Sequence, residues 1–201
     1  CRDYVQQDPE SGSYTLGPAA LALATRHFEG DSLASGMHPA LVALSREVDE
    51  LVHLGVMRGD RVVYLDKVEP SRTIRVWSDI GRTVPVADTA LGRAILAFTA
   101  VERQQLDAYV PAGGPERADR LWGMIGFARG HGYSFEVEEN EPGIACLGVP
   151  LLRGNQPAGA MSVTTFASTF TARRRTELLR AVRDVVPPLL PVGIALPALH
   201  M

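Results

Sequence analysis

Hydrophobic and polar positions fall into blocks with two periods, one near 2 and one near 3.6. Tyr4-Val5 and Tyr14-Leu16 read as short extended runs on either side of Asp8-Pro9-Glu10-Ser11-Gly12-Ser13. In that turn Pro9 sets φ, Gly12 supplies a positive φ, and Asp8 and Ser11 can bond their own backbone. This is a two-stranded hairpin, and a lone hairpin is marginal in water. Helical spacing follows. Leu21, Ala24 and Phe28 recur after Pro18, and beyond the break GDSLASGM a second helix, HPALVALSREVDELVHLG, carries Leu41, Leu44, Val48 and Leu51 on one face. Pro39 suits its first turn.

From Val52 the period drops to 2. VHLGVM, the turn Arg58-Gly59-Asp60-Arg61 and VVYLDKVEP form a hairpin, and TIRVWS reads as a third strand. DIGRTVPVADTALGRAILAF then passes through a loop and short strand into a helix that Asp88 or Thr89 is placed to cap. VERQQLDAYV and RADRLWGMIGFARGHG are helical, divided by PAGGP. YSFEVEE, IACLGVPLL and AMSVTTF are strands again, and the helix TARRRTELLRAVRDVV is stopped by Pro187 and Pro188. Strands and helices come in runs, which predicts an α+β fold around an antiparallel sheet. The tail PVGIALPALH reads as loosely held.

Composition narrows the class. With 46% hydrophobic and 21% charged residues in 201, the chain can bury one good core. A net charge of −3 gives no nucleic-acid or membrane footprint over the whole chain. Lys67 is the only lysine among 20 basic residues, which reads as a genome bias toward arginine. Cys1 and Cys146 are too few for a disulfide framework, so a reducing cytoplasm is expected. No apolar stretch approaches the ~18 residues of a membrane span, and no signal peptide opens the chain. The start at Cys1 and the orphan hairpin lead us to expect a further N-terminal part.

Candidate chemistry is sparse. Gly30-Asp31-Ser32-Leu33 resembles the nucleophile block of GDSL esterases, which would make Ser32 catalytic. That chemistry needs a strand before the serine and an Asp-x-x-His late in the chain. Here a helical pattern precedes the block and Pro197 stands three residues before His200. The histidines at 27, 38, 53, 131 and 200 have no metal-ligand spacing, and most of them read as surface or helix-end residues. The acidic run from Glu136 to Glu141 lacks a calcium-loop pattern and reads as a solvated loop. Neither metal nor cofactor is expected. Period 2 puts Ile144, Cys146 and Gly148 on one strand face, and Ser162 and Thr164 on another. Buried hydroxyls need partners, from the protein or from a polar ligand. The helix start at Thr89, Ala90 and Leu91 has free N–H groups that suit a carboxylate, although Asp88 as a charged cap would compete.

The order of five blocks then resembles one family. DYVQQDPESGSYTLG, VHLGVMRGDRVVYLDKVE, IGRTVPVADTALGRAILA, GYSFEVEENEPGIACLGVPL and AGAMSVTT are similar to the IclR family of bacterial transcriptional regulators, from residue 4 to about residue 185. The resemblance implies that residues 1–17 are the wing of a winged helix-turn-helix whose remainder lies upstream. Residues 18–35 would be a linker helix and 36–190 an effector-binding domain, a GAF/PAS-like sheet flanked by helices, with 191–201 as tail. It also implies a pocket. Val76 and Val84 would form an apolar wall, Thr89, Ala90 and Leu91 the helix start, Glu136, Ile144 and Cys146 the middle strands, and Ser162 and Thr164 the hydroxyls. The implied partners are a small carboxylate or aromatic acid as effector, operator DNA, and further copies of the chain in a homodimer or homotetramer. A sheet that has lost its ligand and serves only to oligomerise is the plainer alternative.

Overall fold

The computed structural model describes residues 3–20, 33–72, 78–110 and 112–200. Two compact units separate, residues 1–36 and 37–201. In the first, strands β1 (Val5–Gln7) and β2 (Tyr14–Leu16) pair antiparallel, with Val5 opposite Leu16 and Gln7 opposite Tyr14. Asp8 closes the turn: its Oδ1 accepts from the N–H groups of Glu10 and Ser11, both at 2.8 Å. Gly12, at φ 69°, supplies the left-handed residue that the turn requires. Most of the first helical run, 21–32, lies outside the described residues, and so do Gly30, Asp31 and Ser32.

The second unit is built on six antiparallel strands in the order β5-β4-β3-β8-β7-β6. These are β3 (Leu51–Arg58), β4 (Arg61–Val68), β5 (Thr83–Pro85), β6 (Ser134–Val137), β7 (Ile144–Arg153) and β8 (Gln156–Phe166). Helix α1 (Leu33–Val48) precedes them, α2 (Ala90–Phe98) and α3 (Gly114–His131) stand between β5 and β6, and α4 (Ala172–Val185) follows β8. One sheet face carries α2, and α3 packs behind it in an apolar cluster that includes Val62, Val84, Leu91, Leu96, Leu121 and Ile125. The other face presents Val52, Leu54, Leu147, Val149, Met161 and Val163, all buried. Helices α1 and α4 contribute Met37, Leu41, Leu44 and Leu178, Leu179, Val182 to the interior. Ser45 Oγ donates to Val68 O at 3.5 Å and Arg174 to Val48 O at 2.9 Å, which ties them to the sheet and to each other.

Two expectations change, and a third falls outside the described residues. The helix through Leu41 begins at Leu33 and ends at Val48, so Pro39 lies inside it and Leu51 opens β3. Asp49 takes φ 51° there and turns the chain out of the helix. The stretch TIRVW (73–77) lies outside the described residues, and Val76 with it; Ser78 is not in a strand. The tail is tied down rather than loose. Leu152 and Ala195 exchange backbone hydrogen bonds of 2.8 Å in both directions, His200 N donates to His131 O at 2.9 Å, and Ile194 is buried.

Candidate functional site

Cross-strand register lines up the polar residues of the α2-facing side in two neighbouring rows. The first runs Glu136–Cys146–Thr164–Leu51 across β6, β7, β8 and β3. The second runs Ser134–Gly148–Ser162–His53–Lys67 and reaches β4. All of these side chains share one face because partners directly opposite in a sheet point the same way.

Helix α2 begins above the second row. Ser134 Oγ donates to Ala90 O at 2.5 Å, and a Cβ on Gly148 would stand 2.5 Å from that same carbonyl. The glycine is what lets the helix start sit on the sheet. From there Leu91 meets Gly55, and Ile95 and Thr99 come to the cleft with Pro157, Ala158 and Gly159. The helix therefore runs away from the Glu136–Cys146–Thr164 row. Helical N–H groups point toward the N-terminus, so those of Ala90 and Leu91, without an intrahelical acceptor, point back over that row.

Thr89, not Asp88, caps the helix. Its side chain accepts from Gly92 N at 3.1 Å and donates to Pro85 O at 2.9 Å. Asp88 turns to the guanidinium of Arg117 instead. A carboxylate competing for the helix start is thereby removed.

The rows form a partly connected polar chain. Cys146 Sγ lies 3.3 Å from Thr164 Oγ1, which lies 3.3 Å from His53 Nδ1, while His53 Nε2 meets Ser78 Oγ at 2.7 Å. The His53 ring stacks on Tyr64 with centroids 4.5 Å apart. Burial, followed by the charges of Lys67 and Arg82, pushes the His53 pKa down to about 3, so the imidazole is neutral at pH 7. Burial also raises the Tyr64 phenol and the Cys146 thiol, with Glu136 adding to the effect on Cys146. Cys146 is consequently a neutral thiol.

Two polar groups here lack partners among the described residues. Glu136 is 1% exposed; its Oε2 accepts from Glu139 N at 3.0 Å, but Oε1 accepts no hydrogen bond. Burial raises its pKa. Ser162, 3% exposed, makes no side-chain hydrogen bond. Both stand on the face beneath the α2 N-terminus.

Of the expected site residues, Thr89, Ala90, Leu91, Glu136, Cys146, Ser162 and Thr164 come together here. Ile144 lies at the β7 end of the same face, beyond Cys146, and is buried. Val84 is buried beside Val62 in the apolar cluster under α2. Two readings are overturned. His53 is neither surface nor helix-end but a strand residue 3% exposed, and Glu136 belongs to the sheet rather than to a solvated loop. Ser78 and Tyr64 are further additions. The period-2 run around His53 was the available signal for it, since His53 shares a strand face with Leu51 and Gly55. Among the described residues no group of His, Cys, Asp or Glu is placed to hold a metal, and no helix is long and apolar enough to cross a membrane.

A six-stranded antiparallel sheet with helices over it defines an α+β fold. Residues 27–188 match the family model for the bacterial transcriptional regulator IclR C-terminal domain. Over 179 residues the chain is 32% identical to the HTH-type transcriptional regulator XynR of Escherichia coli K12, covering 82% of this chain and 68% of that one. It is 31% identical over 188 residues to the glycerol operon regulatory protein of Streptomyces coelicolor, covering 90% and 74%. The Thermotoga maritima IclR structure superposes with a TM-score of 0.73 at 27% identity, over 93% of this chain and 78% of that one. The chain belongs to the IclR family of bacterial transcriptional regulators, which are not enzymes.

Proposed function

We propose that this chain is the effector-sensing part of a ligand-responsive regulator that acts on operator DNA in the cytoplasm. Residues 1–17 serve as the wing of its DNA-binding domain, 18–35 as linker and 36–190 as sensor. The effector is a small organic acid. One observation carries this reading: the start of α2, whose first N–H groups have no intrahelical acceptor, lies over a face of buried polar side chains on which Glu136 Oε1 and the Ser162 hydroxyl have no hydrogen bond among the described residues. A carboxylate at the helix start would take up those N–H groups, and Ser162 and Thr164 would hydrogen-bond its remaining atoms.

In mechanism, the acid prefers one arrangement of the sensor dimer or tetramer, and that preference changes how the linkers space the DNA-binding domains. The ligand shifts the balance only by its differential affinity for the two arrangements, typically about 1–3 kcal/mol. Support comes also from relatives named as helix-turn-helix regulators. The test is thermal unfolding against a panel of aliphatic, keto and aromatic carboxylates. At a hundred times Kd a ligand adds about 2.7 kcal/mol of stability. The expected result is a shift abolished by Ala90→Phe, which crowds the helix start; shifts that survive this change would place the acid elsewhere.

A further inference from the structure

Glu136 is an unusual floor for an acid-binding site. Its carboxyl is buried, one oxygen is held by Glu139 N at 3.0 Å, and the other has no partner among the described residues. The adjacent Cys146 thiol is a weak donor shared between Thr164 Oγ1, 3.3 Å away, and the Glu136 carboxyl. Arg93, whose charge reaches Glu136, is occupied: it donates to Ala87 O, Phe135 O and both oxygens of Glu139. Glu136 Oε1 thus lacks a well-formed hydrogen bond among the described residues.

An acid bound at the start of α2 would lie about one row, roughly 7 Å along the strand, from Glu136. A second bare carboxylate oxygen or a ketone there would face Glu136 acceptor to acceptor. A hydroxyl would donate to it.

Resting on the proposed effector site, we infer that Glu136 selects hydroxy acids: the carboxylate takes the N–H groups of Ala90 and Leu91, and a hydroxyl of the same molecule donates to Glu136 Oε1. A site built to accept from a hydroxyl rejects the analogue that lacks it, because the buried acceptor is then left unpaired. Deoxy and keto analogues therefore bind at least tenfold more weakly. Glu136 acts as a specificity-determining residue, and Ser162 and the helix start provide the affinity common to all acids.

The test is calorimetric titration of the 201-residue chain with matched pairs: lactate and propionate, 3-hydroxybutyrate and butyrate, 3-hydroxybenzoate and benzoate, with pyruvate as a keto acid. The expected result is at least one pair in which the hydroxy member binds tenfold or more tightly. In Glu136→Gln the amide oxygen keeps the bond from Glu139 N and turns an NH2 group into the site. The preference then falls below threefold while the deoxy acid still binds, and Glu136→Ala behaves alike. Equal binding within pairs, or a preference that persists in both variants, would overturn the inference and leave the acid site standing. No binding by any of the acids would overturn both.

Discussion

Acid should destabilise this protein earlier than its carboxylates alone would dictate, and His53 is the reason. Its ring is 3% exposed and held near a pKa of about 3, by burial first and then by Lys67 and Arg82. In the unfolded chain a histidine titrates near 6.5. Between those values the unfolded state binds a proton that the folded state refuses, so stability falls as pH falls from about 6.5. Each unit is worth about 1.4 kcal/mol, so the 1.5 units or so from pH 6.5 to pH 5 remove about 2 kcal/mol. Glu136 works in the opposite sense: its folded pKa is raised, and protonation there favours the folded state. Wild type must therefore be compared with His53→Gln, in which Glu136 and the surface carboxylates act unchanged. Urea unfolding followed by far-ultraviolet circular dichroism between pH 7.5 and pH 5 would supply the comparison. The variant should be less stable at neutral pH because it loses the stack on Tyr64 and the bond to Ser78. That gap should shrink by about 2 kcal/mol at pH 5. A gap constant to within about 0.5 kcal/mol would show that His53 is not a buried neutral imidazole.

Three other predictions concern how the site is held. Gly148→Val drives a side chain into the Ala90 carbonyl, 2.5 Å from where Cβ would stand, and should cost about 2–3 kcal/mol in denaturant unfolding together with acid binding. Thr89→Ala should cost about 1 kcal/mol through the lost cap, whereas Asp88→Ala, whose partner is Arg117, should cost less than that; the reverse order would restore Asp88 as the cap. Removing residues 193–200 strips Leu152 of its partner Ala195 and uncovers the site of Ile194, so the melting temperature should fall by several degrees, as roughly 1–2 kcal/mol does in a domain of this size.

Much of the architecture was legible because it rests on local spacing. Period 2 separated Ser162 and Thr164 from Met161 and Val163, and the register confirms that division. The start of α2 was legible from turn chemistry before an apolar helix. What escaped depends on partners far along the chain. Thr164 meets His53 across 111 residues, and nothing beside His53 in sequence announces that contact. Asp88 has the composition of a cap, but Arg117, 29 residues on, draws it away and Thr89 takes the role. Pro39 normally marks a first turn, yet α1 starts six residues earlier, so a positional preference yielded to packing. The tail read as loose because its hold is backbone pairing with Leu152, which leaves no hydrophobic period to see.

The central claim is that an acid docks on the N-terminus of α2 above the Glu136–Cys146–Thr164 row. The most direct measurement is a nitrogen–proton correlation spectrum of the labelled chain titrated with the acid that gives the largest thermal shift. The account predicts that the amide signals of Ala90 and Leu91 move most, with those of Ser162 and Thr164 following at the same Kd. Shifts confined to the cleft around Arg117 and Arg120, with Ala90 and Leu91 unmoved, would contradict it.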